Sequence, residues 1–182
     1  MPPVHESIEL QKQDVLQYPE EFASKILRGD ACDQVAGAFG ELGSIGNPIP
    51  VNGAFGEIKY LIKLRGKTGR PVFFHRIGSV KSSVASQSVD KYEVVCIDGS
   101  QWSFFHFDMY HPRRSNFAPS GFTLAPTADG KADLAIGFGN NKIVDNFPYG
   151  ILPLLESSRT LPTEIVEVIR TTLKANVFLR RG

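Results

Sequence analysis

Little in this chain belongs to a compositional extreme, and each shortage excludes something. There are only two cysteines, Cys32 and Cys96, far apart in the sequence. That excludes a disulfide framework, and two thiols alone cannot supply the tetrahedral ligand set of a structural zinc site. Neither sign of charge dominates: 20 Lys and Arg oppose 19 Asp and Glu, a net charge of +1. Bulk attraction to nucleic acid or to a membrane surface is therefore not expected, and nucleic acid is not an expected partner. No apolar run approaches the roughly 20 residues of a membrane-spanning helix. The stretch Met1 to Leu10 carries His5, Glu6 and Glu9 in place of an apolar leader core. The expected compartment is the cytoplasm, with no membrane association.

Catalytic signatures are also missing. No G-x-S-x-G elbow, HExxH pair or P-loop occurs. The glycines at 37, 40, 43 and 46 recur every third position but lack the order of a phosphate-binding loop, as does the Gly137-Phe138-Gly139-Asn140-Asn141 run. Cys96 sits in an apolar strand pattern without an activating neighbour in sequence, and both cysteines read as reduced thiols in or near the core. Serine or cysteine hydrolase chemistry has no support at this level, and no cofactor or bound metal is expected.

What remains is an ordinary globular composition, 42% apolar and 21% charged over 182 residues. That length suits one compact unit with its own core. Residues 1–16 read as a mobile N-terminal arm or a short helix, and residues 17–182 as one globular domain. A helix is predicted from Pro19 to Arg28: Pro19 suits a helix start, Glu20 and Glu21 favour its positive end, and Phe22/Ile26 and Ala23/Leu27 repeat at i, i+4. The Gly- and Pro-rich stretch 37–56 reads as a long loop. Two hairpins are predicted next. Ile58, Tyr60, Ile62 and Leu64 alternate with polar residues as a half-buried strand, turning at Gly66–Gly69 into Pro71–Ile77. Lys91–Ile97 then turns through Asp98-Gly99 into Gln101–Phe107, after a serine-rich linker at Ser79–Ser88. Gly121–Leu124 and Leu134–Phe138 suggest a third hairpin. A final helix starts near Pro162 with a stripe of Ile165, Ile169, Leu173 and Val177. The expected class is α+β: a mainly antiparallel sheet of five to six strands built from hairpins, with an N-terminal and a C-terminal helix packed against it.

The densest chemistry lies in His106 to Ser115 (HFDMYHPRRS). His106, Asp108 and His111 are ligand-type or acid–base residues, with Asp108 placed to orient an imidazole. The bland alternative is a strand-end histidine beside Trp102 and Phe104 and an Asp108 that caps a turn. Arg113, Arg114 and Ser115, flanked by Tyr110 and Phe117, suit an anionic small molecule or an acidic protein surface, since the guanidinium fork binds oxyanions bidentately. Alternatively, the arginines pair with acids of the same chain. Asn52, in the stiff loop Asn47-Pro48-Ile49-Pro50-Val51-Asn52-Gly53, and Glu57 beyond it are candidate lining residues. The tripeptide Phe-Phe-His occurs at 73–75 and at 104–106, which brings His75 forward as a neighbour of His106. Two functions follow. One is a binding module that recognises an anionic ligand or acidic partner through the 106–117 loop. The other is a small hydrolase using His106, Asp108 and His111 as acid–base groups or metal ligands.

Overall fold

The computed structural model describes residues 6–126, 139, 140, 142–157, 162–175, 177 and 178. His5, residues 134–138 of the expected third hairpin, and Arg180 and Arg181 lie outside them.

Helices α1 (Ile8–Val15) and α2 (Glu20–Leu27) come first. The Ser7 hydroxyl caps α1 by accepting the Leu10 N–H, so the 1–16 stretch is helical over Ile8–Val15, with Gln11 and Val15 buried. Helix α2 begins after Pro19, with Glu20 and Glu21 in its first turn, and buries Ala23 and Ile26. With Val15, Tyr18, Phe22, Leu27 and Tyr110 these form a small separate apolar cluster.

Strand β1 (Ile49–Pro50) and helix α3 (Gly53–Lys63) follow. The expected strand over residues 57–64 is instead this helix. Its buried residues, Gly53, Gly56, Glu57, Tyr60 and Leu61, recur at helical spacing. Leu61 decides the matter: a strand would have turned it to the polar face, whereas here it is fully buried. The helix can start at Gly53 because its φ of +81° is open to glycine. The Tyr18 hydroxyl accepts the Phe55 N–H at 2.7 Å, satisfying a donor of the first turn.

Strands β2 (Leu64–Arg65), β3 (Val72–Lys81), β4 (Ser88–Cys96), β5 (Trp102–Asp108), β6 (Thr123–Leu124) and β7 (Gly139–Asn140) complete the sheets, and α4 (Ile151–Ser157) and α5 (Thr163–Lys174) the helices. The main sheet runs β1-β5-β4-β3-β7. Its β3-β4-β5 centre is an antiparallel meander, while β1 joins β5, and β7 joins β3, in parallel. The α+β class holds, but the sheet is mixed and not a row of hairpin strands. One expected strand became α3, and the outer strands arrive through crossovers. A two-stranded sheet of β2 and β6 stands apart. The Asp98-Gly99 turn joins β4 to β5 as expected, with Gly99 at φ +74°. Both ends of the serine-rich linker are strand, because β3 runs on to Lys81 opposite Ser88.

Both faces of the sheet are covered. Phe74, Tyr92, Val94, Phe105 and Phe107 pack with Tyr60 and Leu61 of α3 on one side. Phe73 and Val95 pack with Val144, Ile151, Ile169 and Leu173 on the other. Helix α5 docks through Ile169 and Leu173, but Val177 lies beyond it and is exposed. Among the described residues no helix is long and apolar enough to cross a membrane.

Candidate functional site

The stretch Gly46–Gly53 is buried throughout and acts as a backbone template. The Val51 N–H donates to the Asp108 carbonyl at 2.8 Å and the Gly53 N–H to that of Met109 at 2.9 Å. In return, His111 N–H donates to Val51 O and Ser115 N–H to Pro50 O. The segment after β5 is thus irregular in shape but fixed in position.

A second loop, residues 29–33, is fastened to the first. Gly29 lies so close to the Tyr110 carbonyl that a Cβ would sit 1.9 Å from its oxygen, so no side chain fits. Arg113 Nη1 donates to Asp33 Oδ1 at 2.7 Å, and its Nη2 to Ala31 O at 3.3 Å. The Ser115 hydroxyl donates to Asp33 O, and the Asn116 N–H to Asp33 Oδ1. Burial works against the Asp33 charge, but Arg113 and the Asn116 amide outweigh it and hold the carboxyl below its ordinary range.

Fastening the two loops together places Cys32 against His111. The half-buried sulfur is 3.6 Å from His111 Nδ1, which also donates to the Asp30 carbonyl at 2.8 Å. On the far side of the ring, His111 Nε2 is 3.3 Å from Asp108 Oδ2. Nε2 makes no well-aligned hydrogen bond, so this contact is mainly a charge contact. Burial disfavours a charged imidazole, but Asp108, the Cys32 sulfur and the Asp30 carbonyl prevail, and the His111 pKa is raised to about 10. The result is a chain, sulfur to imidazole to carboxylate, with half-buried Cys32 at its outer end beside exposed Ala31. It is not a convergent ligand set: among the described residues no group of three His, Cys, Asp or Glu is placed to hold a metal.

The other candidates are dispersed. His106 stands apart from Asp108 and His111. Its Nδ1 donates to the Gly43 carbonyl at 3.0 Å, and burial, with Lys91 nearby, lowers its pKa although that hydrogen bond opposes the shift. His75 is not its neighbour either. Strand β4 lies between them, and His75 aligns with Glu93, which aligns in turn with Phe104. His75 Nε2 donates to Glu93 Oε2 at 2.8 Å, its Nδ1 accepts the Val144 N–H at 2.9 Å, and its ring stacks on Phe147. Tyr110 packs edge-on against Phe22. Arg114 is buried, donating to Asn52 Oδ1 and to Glu6. Glu57 is fully buried on the inner face of α3, where it accepts the Tyr92 hydroxyl at 2.8 Å.

Cys32 is the functional candidate that sequence reasoning passed over. Residues 32 and 111 are brought together only by tertiary contact, and the local signals, Gly29 and the acids at 30 and 33, do not name a partner. The chain matches no family model, no curated protein and no solved structure.

Proposed function

We propose that the protein is a thiol-dependent acyl hydrolase in which Cys32 is the nucleophile, His111 the proton donor and acceptor, and Asp108 the group that orients and charges the imidazole. The observation that carries this reading is the Cys32–His111–Asp108 alignment, with sulfur at Nδ1 and carboxylate at Nε2. A thiol becomes a nucleophile as the thiolate, and an imidazolium beside it is the usual counter-ion. His111, with its raised pKa, is suited to stay protonated at neutral pH. In the acylation step the thiolate attacks a carbonyl carbon, the C–S bond forms and the bond to the leaving group breaks. The leaving group takes the Nδ1 proton, which swings from the Asp30 carbonyl. Water then attacks the thioester and gives a proton to the now neutral His111, and the thiolate departs.

The reading as an anion-binding module through residues 106–117 has less support. At the loop's surface Arg113 is already taken up by Asp33 and the Ala31 carbonyl, so it offers no open fork to a ligand. Cys96 provides an internal control. Burial and the nearby Asp98 push its thiol up to about 11, so it should be inert at neutral pH. With p-nitrophenyl acetate, the wild type should release a burst of nitrophenol stoichiometric with protein, and Cys32→Ala should release none. No burst from the wild type, or an equal burst from the variant, overturns the proposal.

A further inference from the structure

Helix α1 is built the wrong way round for a helix docked by apolar contact. Ile8, Leu10 and Leu16 at its ends and outer side are 45%, 51% and 67% exposed, and only Val15 among its apolar residues is buried. What it offers the body of the protein is a row of acceptors. The Gln11 side-chain carbonyl accepts the Arg114 backbone N–H at 2.8 Å, and the Gln11 main-chain carbonyl accepts Asn52 Nδ2 at 3.0 Å. Glu6 accepts from Arg114 Nη2. Asp14 accepts Lys59 Nζ at 2.5 Å and lies 3.9 Å from Arg114 Nη1. Lys59 and Lys63 each come within 3.9 Å of Glu6.

The groups beneath α1 that face it are therefore donors: a guanidinium, a backbone N–H, a side-chain amide and lysine ammonium groups. A set of donors arranged in this way is complementary to an oxyanion of more than one charge, and two carboxylates of the chain itself fill that role. The Arg114 side chain is only 6% exposed, so its charge is held in a recess and little screened. An eight-residue helix is marginal by itself, and this one is held by few apolar contacts. Val15, packed with Ile26 and Tyr110, is its one buried apolar anchor, so release of the turns before Val15 leaves the donors open.

We propose that Arg114, Asn52 and Lys59 form a binding site for a small phosphate-bearing anion, and that the segment Glu6–Asp14 occupies this site as a displaceable mimic of the ligand. The site is separate from Cys32 and the proposal does not depend on the thiol reading. A multiply charged phosphate group suits it because the lining combines a planar fork with lysine point charges approaching from different directions. The competition also sets the sign of the effect: an anion that must first displace α1 binds more weakly than it would to an open site.

The test uses the full chain with pyrophosphate as the probe, followed by calorimetric titration at fixed ionic strength. Glu6→Gln together with Asp14→Asn removes the competing charges and should tighten pyrophosphate binding by about tenfold over the wild type. Adding Lys59→Gln to that background should reverse the gain. If the double variant folds, by circular dichroism, and binds no more tightly than the wild type, the proposal fails. Should the double variant not fold, trypsin cleavage after Lys12 in the wild type decides. Pyrophosphate should accelerate that cut by freeing α1, and an unchanged or slower cut overturns the proposal.

Discussion

Among the described residues a buried histidine–carboxylate pair occurs twice, and the two differ at one nitrogen. In both, Nε2 meets a carboxylate, Glu93 for His75 and Asp108 for His111, and both rings are under a tenth exposed. At His75 the other nitrogen accepts the Val144 N–H. A lone pair used in this way fixes the tautomer, and protonation there would set two donors face to face. His75 is a fastener between the sheet and the segment that leads to α4. At His111 the other nitrogen carries its hydrogen toward a carbonyl and a sulfur. That arrangement tolerates a proton, and the neighbouring atom is reactive. The difference teaches that burial and a carboxylate partner do not distinguish a structural histidine from a functional one. What the second nitrogen faces does.

The comparison is broken most severely by removing each ring. His75→Ala leaves the Val144 N–H without its acceptor, takes one partner from Glu93 and opens space beside Phe147. A loss of about 3–5 kcal/mol of folding free energy is expected in urea denaturation. The folded fraction should still alkylate at Cys32 with iodoacetamide at the wild-type rate. His111→Gln should do the reverse. Glutamine keeps an amide for the Asp30 carbonyl but cannot act as a counter-ion, so iodoacetamide modification of Cys32 at pH 7 should slow by about 100-fold, with a smaller change in stability. Equal effects of the two variants on the thiol would erase the distinction.

The pH dependence sharpens it. The His111 pKa is raised in the folded protein to about 10. A raised pKa means the folded state holds the proton more tightly than the unfolded state. The stabilisation is fully present below the unfolded value near 6.5 and is lost as pH rises toward 10. Over that window the wild type should lose on the order of a few kcal/mol relative to His111→Gln. Unfolding curves of the two proteins at pH 6 and pH 9.5 measure it, and parallel curves would show that His111 is neutral in the fold.

The parts of this picture that the sequence revealed are those encoded locally. The Asp98-Gly99 turn with its flanking strands, helix α2 after Pro19, and the helix carrying Ile169 and Leu173 each announce themselves by period and by end signals. The 57–64 segment misled because Ile58, Tyr60, Ile62 and Leu64 satisfy an alternation, while the helical spacing runs through Gly56, Glu57 and Leu61, two of which are not apolar markers. The candidate site was half legible. Asp108 and His111 lie close enough in sequence to be read as a pair. Cys32 was invisible because its approach depends on Gly29 fitting under the Tyr110 carbonyl and on Asp33 meeting Arg113, both long-range events. The repeated Phe-Phe-His suggested paired histidines, but β4 lies between the two strands.

A third buried carboxyl tests how far the charge logic extends, with the smallest expected effect. Glu57 lies on the inner face of α3, where burial first and the neighbouring Asp90 second push its pKa well above the ordinary carboxyl range, against the Tyr92 hydroxyl and Arg76. One of its oxygens, Oε1, accepts no hydrogen bond. A protonated Glu57 with its O–H toward Asp90 accounts for both facts, while Asp90 itself is gripped by Arg76 through two hydrogen bonds of 2.8 Å. Glutamine reproduces that pattern, with its amide donating where the acid O–H did and its carbonyl accepting from Tyr92. Glu57→Gln should therefore change stability at pH 7 by no more than about 1 kcal/mol. Because the carboxyl pKa is raised, its contribution is complete below the ordinary value of 4.5 and fades as pH rises from there through the folded one, so the wild type should lose stability over that rise that the glutamine variant retains. A large loss from Glu57→Gln at neutral pH would mean that the charge, and not the proton, is what this corner of the sheet requires.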